Sequence, residues 1–359
     1  MSEKLSIAIL YGGRSVEHEI SIRSAKNVVA NLEKDSFETI LLGIDKNGSW
    51  YLNKSIYDEI NSGVSISIVL DATAPHLIEV ESGRKVQIDV VFPVLHGTDG
   101  EDGSIQGLFK SMDLPVVGSG VLGSAISMDK IISKKILKEC GIPVAAYAEY
   151  DKSQKDLLKY EEIVEQVGLP FMIKSAALGS SVGISLIKSA SDFPAAVEDS
   201  FKYGKKIIVE QFIKGRELEC AVIGNEQPRA SLPGEIVMVK DYDFYTYTAK
   251  YLDEDAIEIK LPAEVDQKTM DEIRRVSIQA YKSLRCEDFA RVDLFVTDEG
   301  EVIVNEINTI PGFTNASMFP MMWKHMGVSY PELISELIQL CLKRYQASKF
   351  LKTDYNAAN

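Results

Sequence analysis

A chain of 359 residues is too long for one hydrophobic core, so two or three domains are expected. Its 45% hydrophobic and 26% charged residues are the balance of folded globular proteins, which excludes intrinsic disorder and fibrous architecture. Thirty-nine basic residues against 53 acidic ones leave a formal net charge of −14, which speaks against broad contact with nucleic acid or anionic lipid, because a phosphate backbone needs a basic face.

The four cysteines (Cys140, Cys220, Cys286, Cys341) form no CxxC and the four histidines have no ligand spacing. Neither a disulfide scaffold nor a catalytic zinc site is signalled. The chain opens into an apolar strand without the pattern of a secretion signal. No apolar run approaches the roughly 20 residues of a membrane span. A cytoplasmic protein is expected.

In chain order, residues 5–10 read as a strand and 15–32 as a helix, with Ser15 or Ser21 as caps. Residues 37–44 form a second strand closed by the Asp45-Lys46-Asn47-Gly48 turn. The apolar run 88–94 suits a strand buried on both faces of a parallel sheet. It ends in the loop Leu95-His96-Gly97-Thr98-Asp99-Gly100-Glu101-Asp102-Gly103, at the strand end where open α/β sheets place ligands. A strand at 114–117 and a helix from Lys130 to Cys140 follow. Gly141-Ile142-Pro143 stops that helix and marks a candidate domain boundary.

Further on, a helix near 154–167 precedes strands at 171–174, 184–187 and 207–212. A polar loop is expected over 241–255, a helix over 267–284, a hairpin over 289–307 and a helix near 330–345. Residues 352–359 should fray. The pieces read as α/β and α+β.

The hairpin carries chemistry. If its loop is Thr297-Asp298-Glu299-Gly300, Val296 opposes Glu301, Asp293 opposes Val304 and Arg291 opposes Glu306. The period of two then puts Arg291, Asp293, Glu306 and Asn308 on one face. Two carboxylates and an amide oxygen suit a hard cation such as Mg²⁺ that shares its shell with phosphate and water. A solvated face with surface ion pairs accounts for the pattern equally well, and a one-residue register slip would part the two carboxylates. The following Thr309-Ile310-Pro311-Gly312-Phe313-Thr314 allows close backbone approach at Gly312, whose N–H could meet an oxyanion; an ordinary turn is the simpler reading.

Gly179-Ser180-Ser181-Val182-Gly183, with Lys174 at the end of the preceding strand, offers the donors of an anion nest. A plain hairpin turn explains it as well, and the Walker pattern is absent. Gly118-Ser119-Gly120-Val121-Leu122-Gly123 is a true GxGxxG between strand and helix, so an NAD-dependent oxidoreductase is the rival from another class. Against it, Glu139 falls at a helix end and the motif comes late in the sheet.

Together these segments resemble the D-alanine–D-alanine ligase family of the ATP-grasp superfamily. The resemblance runs from Gly12-Gly13-Arg14-Ser15-Val16-Glu17-His18-Glu19 through His96-Gly97, Gly100-Glu101-Asp102-Gly103, Gly179-Ser180-Ser181-Val182-Gly183 and Ala249-Lys250-Tyr251 to Asn308-Thr309-Ile310-Pro311-Gly312. It implies a three-domain ATP-grasp architecture. Residues 1–125 would be a Rossmann-like parallel-sheet domain binding substrate, 126–218 a central lid with the glycine-rich loop, and 219–359 a domain with the metal and catalytic residues.

The activity implied is the ATP-dependent, ADP-forming joining of two D-alanines through an acyl phosphate, for peptidoglycan precursors, by a homodimer. A ligase joining D-alanine to D-lactate or D-serine is the alternative. By the same resemblance Asp293, Glu306 and Asn308 hold two Mg²⁺ (or Mn²⁺) ions, and Lys130, Lys174, Ser180, Ser181 and Lys250 contact ATP. Glu210 lies near adenine and Glu217 at the ribose. Glu17 holds the first substrate's ammonium with His96 beside it, and Ser317 and Met318 lie in the segment that holds the second substrate's carboxylate. Arg291 and the Gly312 N–H stabilise the tetrahedral oxyanion. Tyr251 joins Ser180 and Glu17 in a hydrogen-bonded closure that excludes water. The chain departs from the family at Ser175, where many relatives have proline, at Leu178, where some have glutamate, and at Met318, commonly leucine.

Overall fold

The apolar opening of the chain becomes the Leu5–Gly12 strand, which pairs in parallel with Phe37–Ile44 on one side and Val90–Pro93 on the other. The computed structural model describes residues 4–179, 183–240 and 256–352. Ile7, Ala8, Ile9 and Leu10 are wholly buried, as a parallel strand covered on both faces must be. Beyond Phe37–Ile44 the seven-stranded sheet continues as an antiparallel meander through Trp50–Asn53, Val64–Val69, His76–Glu79 and Lys85–Gln87. The parallel, Rossmann-like order therefore belongs to one end of the sheet, where Val90–Pro93 is the last strand. The strand expected at 114–117 is only a bridge of Val116 to Val91, because Leu114 is followed by Pro115, which has no N–H for a ladder.

The central sheet is antiparallel, in the order Ser185–Ile187, Phe171–Ser175, Lys206–Gln211, Tyr147–Asp151. Its alternation decides what faces what. Phe171, Ile173, Ile207 and Val209 pack on the helices Tyr160–Val167 and Phe193–Tyr203, so Met172, Lys174 and Glu210 face the other way. The helix expected at 154–167 is broken, with a 3₁₀ turn Lys152–Leu157 capped by Asp151 ahead of Tyr160–Val167.

The third sheet has Gly215–Ile223 paired with Phe289–Thr297, which pairs in turn with Val302–Asn308. Its core is closed by the helix Gln267–Ser283. The last helix, Tyr330–Ser348, starts at a capping box between Ser329 and Glu332, which satisfies N–H groups that would otherwise lack partners. It sends Leu333, Ile334, Leu337, Ile338 and Cys341 into a core shared with Ile7, Ile9 and Phe92 of the first sheet. At about 1.5–3 kcal/mol for each large side chain buried, that stripe fastens the two ends of the chain together. Among the described residues no helix is long and apolar enough to cross a membrane.

Candidate active site

The hairpin of Phe289–Thr297 and Val302–Asn308 does not keep the register expected from its turn. Near the loop Val296 pairs with Val302 rather than with Glu301. That one-residue slip, continued, would place Asp293 opposite Asn305 and turn Glu306 to the far face. A β-bulge intervenes. Leu294 pairs with Val304, Asn305 is left over, and Asp293 pairs with Glu306 and Arg291 with Asn308. The extra residue re-aims the strand, and all four polar side chains return to one face.

On that face Arg291 grips Asp293 with two parallel bonds, Nε to Oδ1 and Nη2 to Oδ2, both 2.7 Å. Asn308 Nδ2 donates to Asp293 Oδ2 at 2.9 Å. Glu219, directly across from Asp293 on the next strand, lies 3.0 Å from Arg291 Nε. Glu306 Oε2 is 3.0 Å from Lys130 Nζ.

Lys130 and Lys134 sit one turn apart on the helix Lys130–Glu139, whose N-terminus is capped by the Asp129 carboxylate. That spacing points both toward the sheets. Lys134 Nζ donates to the carbonyl of the bulged Asn305 at 3.1 Å and is 2.8 Å from Glu210 Oε1. The other Glu210 oxygen is 2.7 Å from Lys174 Nζ. Burial alone would raise the Glu210 pKa, but the two ammoniums hold it down to about 2. Burial pulls the Lys134 ammonium below its usual value; in Lys174 burial is outweighed by Glu210, Glu306 and Glu217, and its pKa is raised. Lys130 Nζ also donates to Leu178 O at 2.9 Å, reaching the edge of the glycine loop.

These groups border a cavity of about 350 Å³. Its lining includes the charged Lys130, Lys174, Glu210, Glu217, Asp293 and Glu306. Apolar side chains, among them Met172, Ile184, Phe212, Ile236, Met238 and Phe295, line it as well. Apolar surface for a flat ring together with cations for phosphates has the chemistry of a nucleotide site.

The N-terminal loops form a second cluster. Glu17 is buried at the start of the helix His18–Asn31. Its Oε2 lies against the backbone of Gly97 and Gly179, where an added Cβ would be 2.6 and 3.0 Å away. His96 Nδ1 is 3.0 Å from Ile310 O and its Nε2 is 3.1 Å from Ser24 Oγ. Burial lowers the His96 pKa, and the imidazole feels the charges of Glu17 and Arg291. Glu101 accepts from Gly97 N at 2.7 Å and Ile310 N at 3.2 Å. Burial, joined by the nearby Glu17 charge, pushes its pKa up to about 8. Gly312 lies between these anchors and Ser317, whose Oγ is bonded to Thr314. The Met318 side chain is buried in the core that joins the first sheet to the last helix.

Ser180, Ser181, Lys250 and Tyr251 lie outside the described residues. Lys134, Glu219, Ser24 and Glu101 were not singled out from sequence. The i, i+4 relation of Lys134 to Lys130 could have flagged the first; the others become visible only through pairing between distant segments.

Two carboxylates and one amide on a common face are a fitting donor set for a hard divalent ion. Among the described residues no three His, Cys, Asp or Glu side chains gather at ligand distance, so the protein by itself does not complete a shell, and phosphate oxygens and water would have to.

The GxGxxG does not serve a dinucleotide. Gly118 N donates to Asp288 Oδ2 at 2.9 Å and Gly120 N to Glu287 Oε2 at 3.1 Å. Arg344 Nη2 seals the arrangement with bonds to Val116 O, Gly118 O and Asp288 Oδ2. The donors that a pyrophosphate would need are occupied by carboxylates, and the oxidoreductase reading is rejected.

Known proteins share this architecture. The family model for the D-ala D-ala ligase N-terminus matches residues 6–119, and that for the C-terminus residues 136–339. The D-alanine–D-alanine ligase of Oceanobacillus iheyensis is 44% identical over 362 residues, 98% of each chain. D-alanine–D-alanine ligase A of Escherichia coli K12 is 43% identical over 363 residues, 98% of this chain and 99% of the other. Among solved structures, the D-alanine–D-alanine ligase from Coxiella burnetii aligns with a TM-score of 0.87 at 37% identity, over 97% of both chains. The VanG D-Ala:D-Ser ligase from Enterococcus faecalis aligns at 0.86 and 33% identity, over 94% of this chain and 100% of the other.

Proposed function

The chain belongs to the D-alanine–D-alanine ligase family, and on that premise we propose that it joins two D-alanines to D-alanyl-D-alanine, consuming ATP and releasing ADP and phosphate. The observation that carries the reading is the bulge-corrected hairpin, which faces Asp293 with Glu306 beside Arg291 and Asn308 in the lining of a nucleotide-sized cavity.

Adenine fits the apolar lining beside Glu210, which pairs with Met172, and Glu217 is placed to accept from ribose hydroxyls. Lys130 and Lys174 meet the phosphates, with Ser180, Ser181 and Lys250 from the loops. Asp293, Glu306 and Asn308 would hold Mg²⁺ (or Mn²⁺), two ions in the full complex, which when bound neutralises phosphate charge. Glu17 holds the ammonium of the first D-alanine, so that its carboxylate oxygen attacks the γ-phosphorus of ATP and ADP departs. Positioning and charge neutralisation do most of that work.

The amine of the second D-alanine, its carboxylate held at Ser317 and the Met318 backbone, then attacks the acyl carbon. The carbonyl π electrons move onto oxygen, and the proton that the amine sheds passes to an oxygen of the departing phosphate. Arg291 and the Gly312 N–H stabilise that oxyanion, each donor contributing roughly 3–4 kcal/mol in comparable sites. Collapse expels phosphate and leaves the new amide. Tyr251, with Ser180 and Glu17, keeps water from the acyl phosphate.

The three sheets support the division into three domains, with the strand Gly215–Ile223 going whole to the last. Peptidoglycan precursor supply, a cytoplasmic location and a homodimer complete the proposal. Phosphate release with ATP and a panel of D- and L-amino acids tests it, with D-lactate and D-serine as alternative second substrates. Absence of D-alanine-dependent release, or faster product formation with D-serine or D-lactate, overturns the reading or its second substrate.

A further inference from the structure

The helix His18–Asn31 carries a polar stripe into the interior. Ser21, Ser24 and Asn27 recur about once per turn, and Ser21 and Ser24 are fully buried. Buried polar groups are costly unless bonded, and each of these bonds the backbone of a loop at the reacting centre. Ser21 Oγ accepts from Gly12 N at 2.8 Å and donates to Val94 O. Ser24 Oγ accepts from Phe313 N at 3.3 Å and lies 3.1 Å from His96 Nε2. Asn27 Nδ2 donates to Phe313 O at 2.8 Å. One helix face thus ties together the loop after the first strand, the loop after Val90–Pro93, and the loop that follows the hairpin.

The partners favour one direction for the bonds. Ile310 O can only accept, so His96 Nδ1, 3.0 Å away, carries a proton. Burial favours the neutral imidazole, and in a neutral ring protonated at Nδ1 the Nε2 is an acceptor. The Ser24 hydroxyl must donate to Nε2, and its lone pair takes the Phe313 N–H. The relay from Phe313 N–H through Ser24 and His96 to Ile310 O begins and ends on the same loop, on either side of Pro311-Gly312. Glu101 adds a third hold by accepting from Ile310 N while also taking Gly97 N.

We propose that Ser24 is a positioning residue for ligation: through His96 it pins both flanks of Pro311-Gly312, so that the Gly312 N–H is already aimed when the oxyanion develops. This rests on the ligase reading above. His96, with both ring nitrogens engaged by the protein, orients the loop rather than the substrate. Preorganised donors lower the barrier because they need no reorganisation during the reaction.

Two measurements test it. In ¹⁵N NMR spectra of the full-length enzyme at neutral pH, His96 should be protonated at Nδ1 and bare at Nε2. In Ser24→Ala, kcat for D-alanine-dependent phosphate release should fall roughly ten- to a hundredfold, the scale of a small misplacement of a catalytic group. The KM for ATP should stay within about twofold, since the nucleotide site is built from other segments. Protonation at Nε2 overturns the proposal. So does a kcat that is unchanged in Ser24→Ala, or one that falls in step with a loss of ATP affinity. If Ser24→Ala does not fold, the tautomer decides alone. A wild-type enzyme without D-alanine-dependent phosphate release would sink the ligase reading instead, while the tautomer still reports on the relay.

Discussion

Replacing Glu210 by glutamine probes how the nucleotide end of the site is held together. The carboxylate is buried between Lys134 Nζ at 2.8 Å and Lys174 Nζ at 2.7 Å. Its pKa stands at about 2 against an ordinary 4.5, burial opposing and the two ammoniums prevailing. A depression of roughly 2.5 pH units at about 1.36 kcal/mol each amounts to about 3 kcal/mol of stability at neutral pH. Removing one member of a buried ion cluster costs a comparable 3–5 kcal/mol or about that. Because the folded pKa lies below the unfolded one, the contribution is whole above about pH 4.5 and vanishes as the pH falls toward 2.

A chain of three sheets need not unfold as a unit, so native-state hydrogen exchange in the strand Lys206–Gln211 is the suitable assay. Glu210→Gln should lower protection there by about 3 kcal/mol, roughly a hundredfold, and by the same amount at pH 7 and pH 5. A loss under about 1 kcal/mol, or a gap that closes between those two pH values, would refute the reasoning.

Three other substitutions bear on the site. Arg291→Lys keeps the charge but cannot reproduce the paired bonds to Asp293 together with the contact to Glu219; kcat should fall roughly 10²–10³-fold in an ADP-release assay, and a loss under about fivefold counts against the oxyanion role. Glu101 has a folded pKa of about 8, raised by burial and by Glu17, so the wild type should lose stability as pH rises from its unfolded value near 4.5 through 8. Thermal scans of Glu101→Gln should be flatter over that range, and parallel curves for the two proteins would contradict the assignment. Gly97 has φ +76° and its added Cβ would lie 2.6 Å from Glu17 Oε2. Gly97→Ala should therefore raise the KM for D-alanine about tenfold or more with the KM for ATP little changed, and an unaltered D-alanine KM would remove Glu17 from ammonium binding.

Much of the local structure was legible in the residues. The strand Phe37–Ile44 stands where its closing turn puts it, and the helix at Lys130 starts at the expected residue. The long helices Gln267–Ser283 and Tyr330–Ser348 begin at the expected residues. The strands His76–Glu79 and Lys85–Gln87 went unread because they are only four and three residues long, too short for alternation to show. The GxGxxG was misleading for the opposite reason. An apolar run precedes it and a helix follows, and Asp288, Glu287 and Arg344, far along the chain, show that its donors are already engaged.

Sequence by itself determined which side chains share a face, because periods of 2 and 3.6 are properties of a single segment: Asp293 with Arg291, Lys130 with Lys134, Ser21 with Ser24. Tertiary structure alone decided what those faces meet. The hairpin slips by one residue at its turn and recovers at Asn305, and that recovery, braced by Lys134 from the helix Lys130–Glu139, is what brings Glu306 round to Asp293. Glu219, Glu210 and Ser24 gain their roles the same way. Register and partnership depend on packing between segments remote in the chain, and no local pattern encodes them.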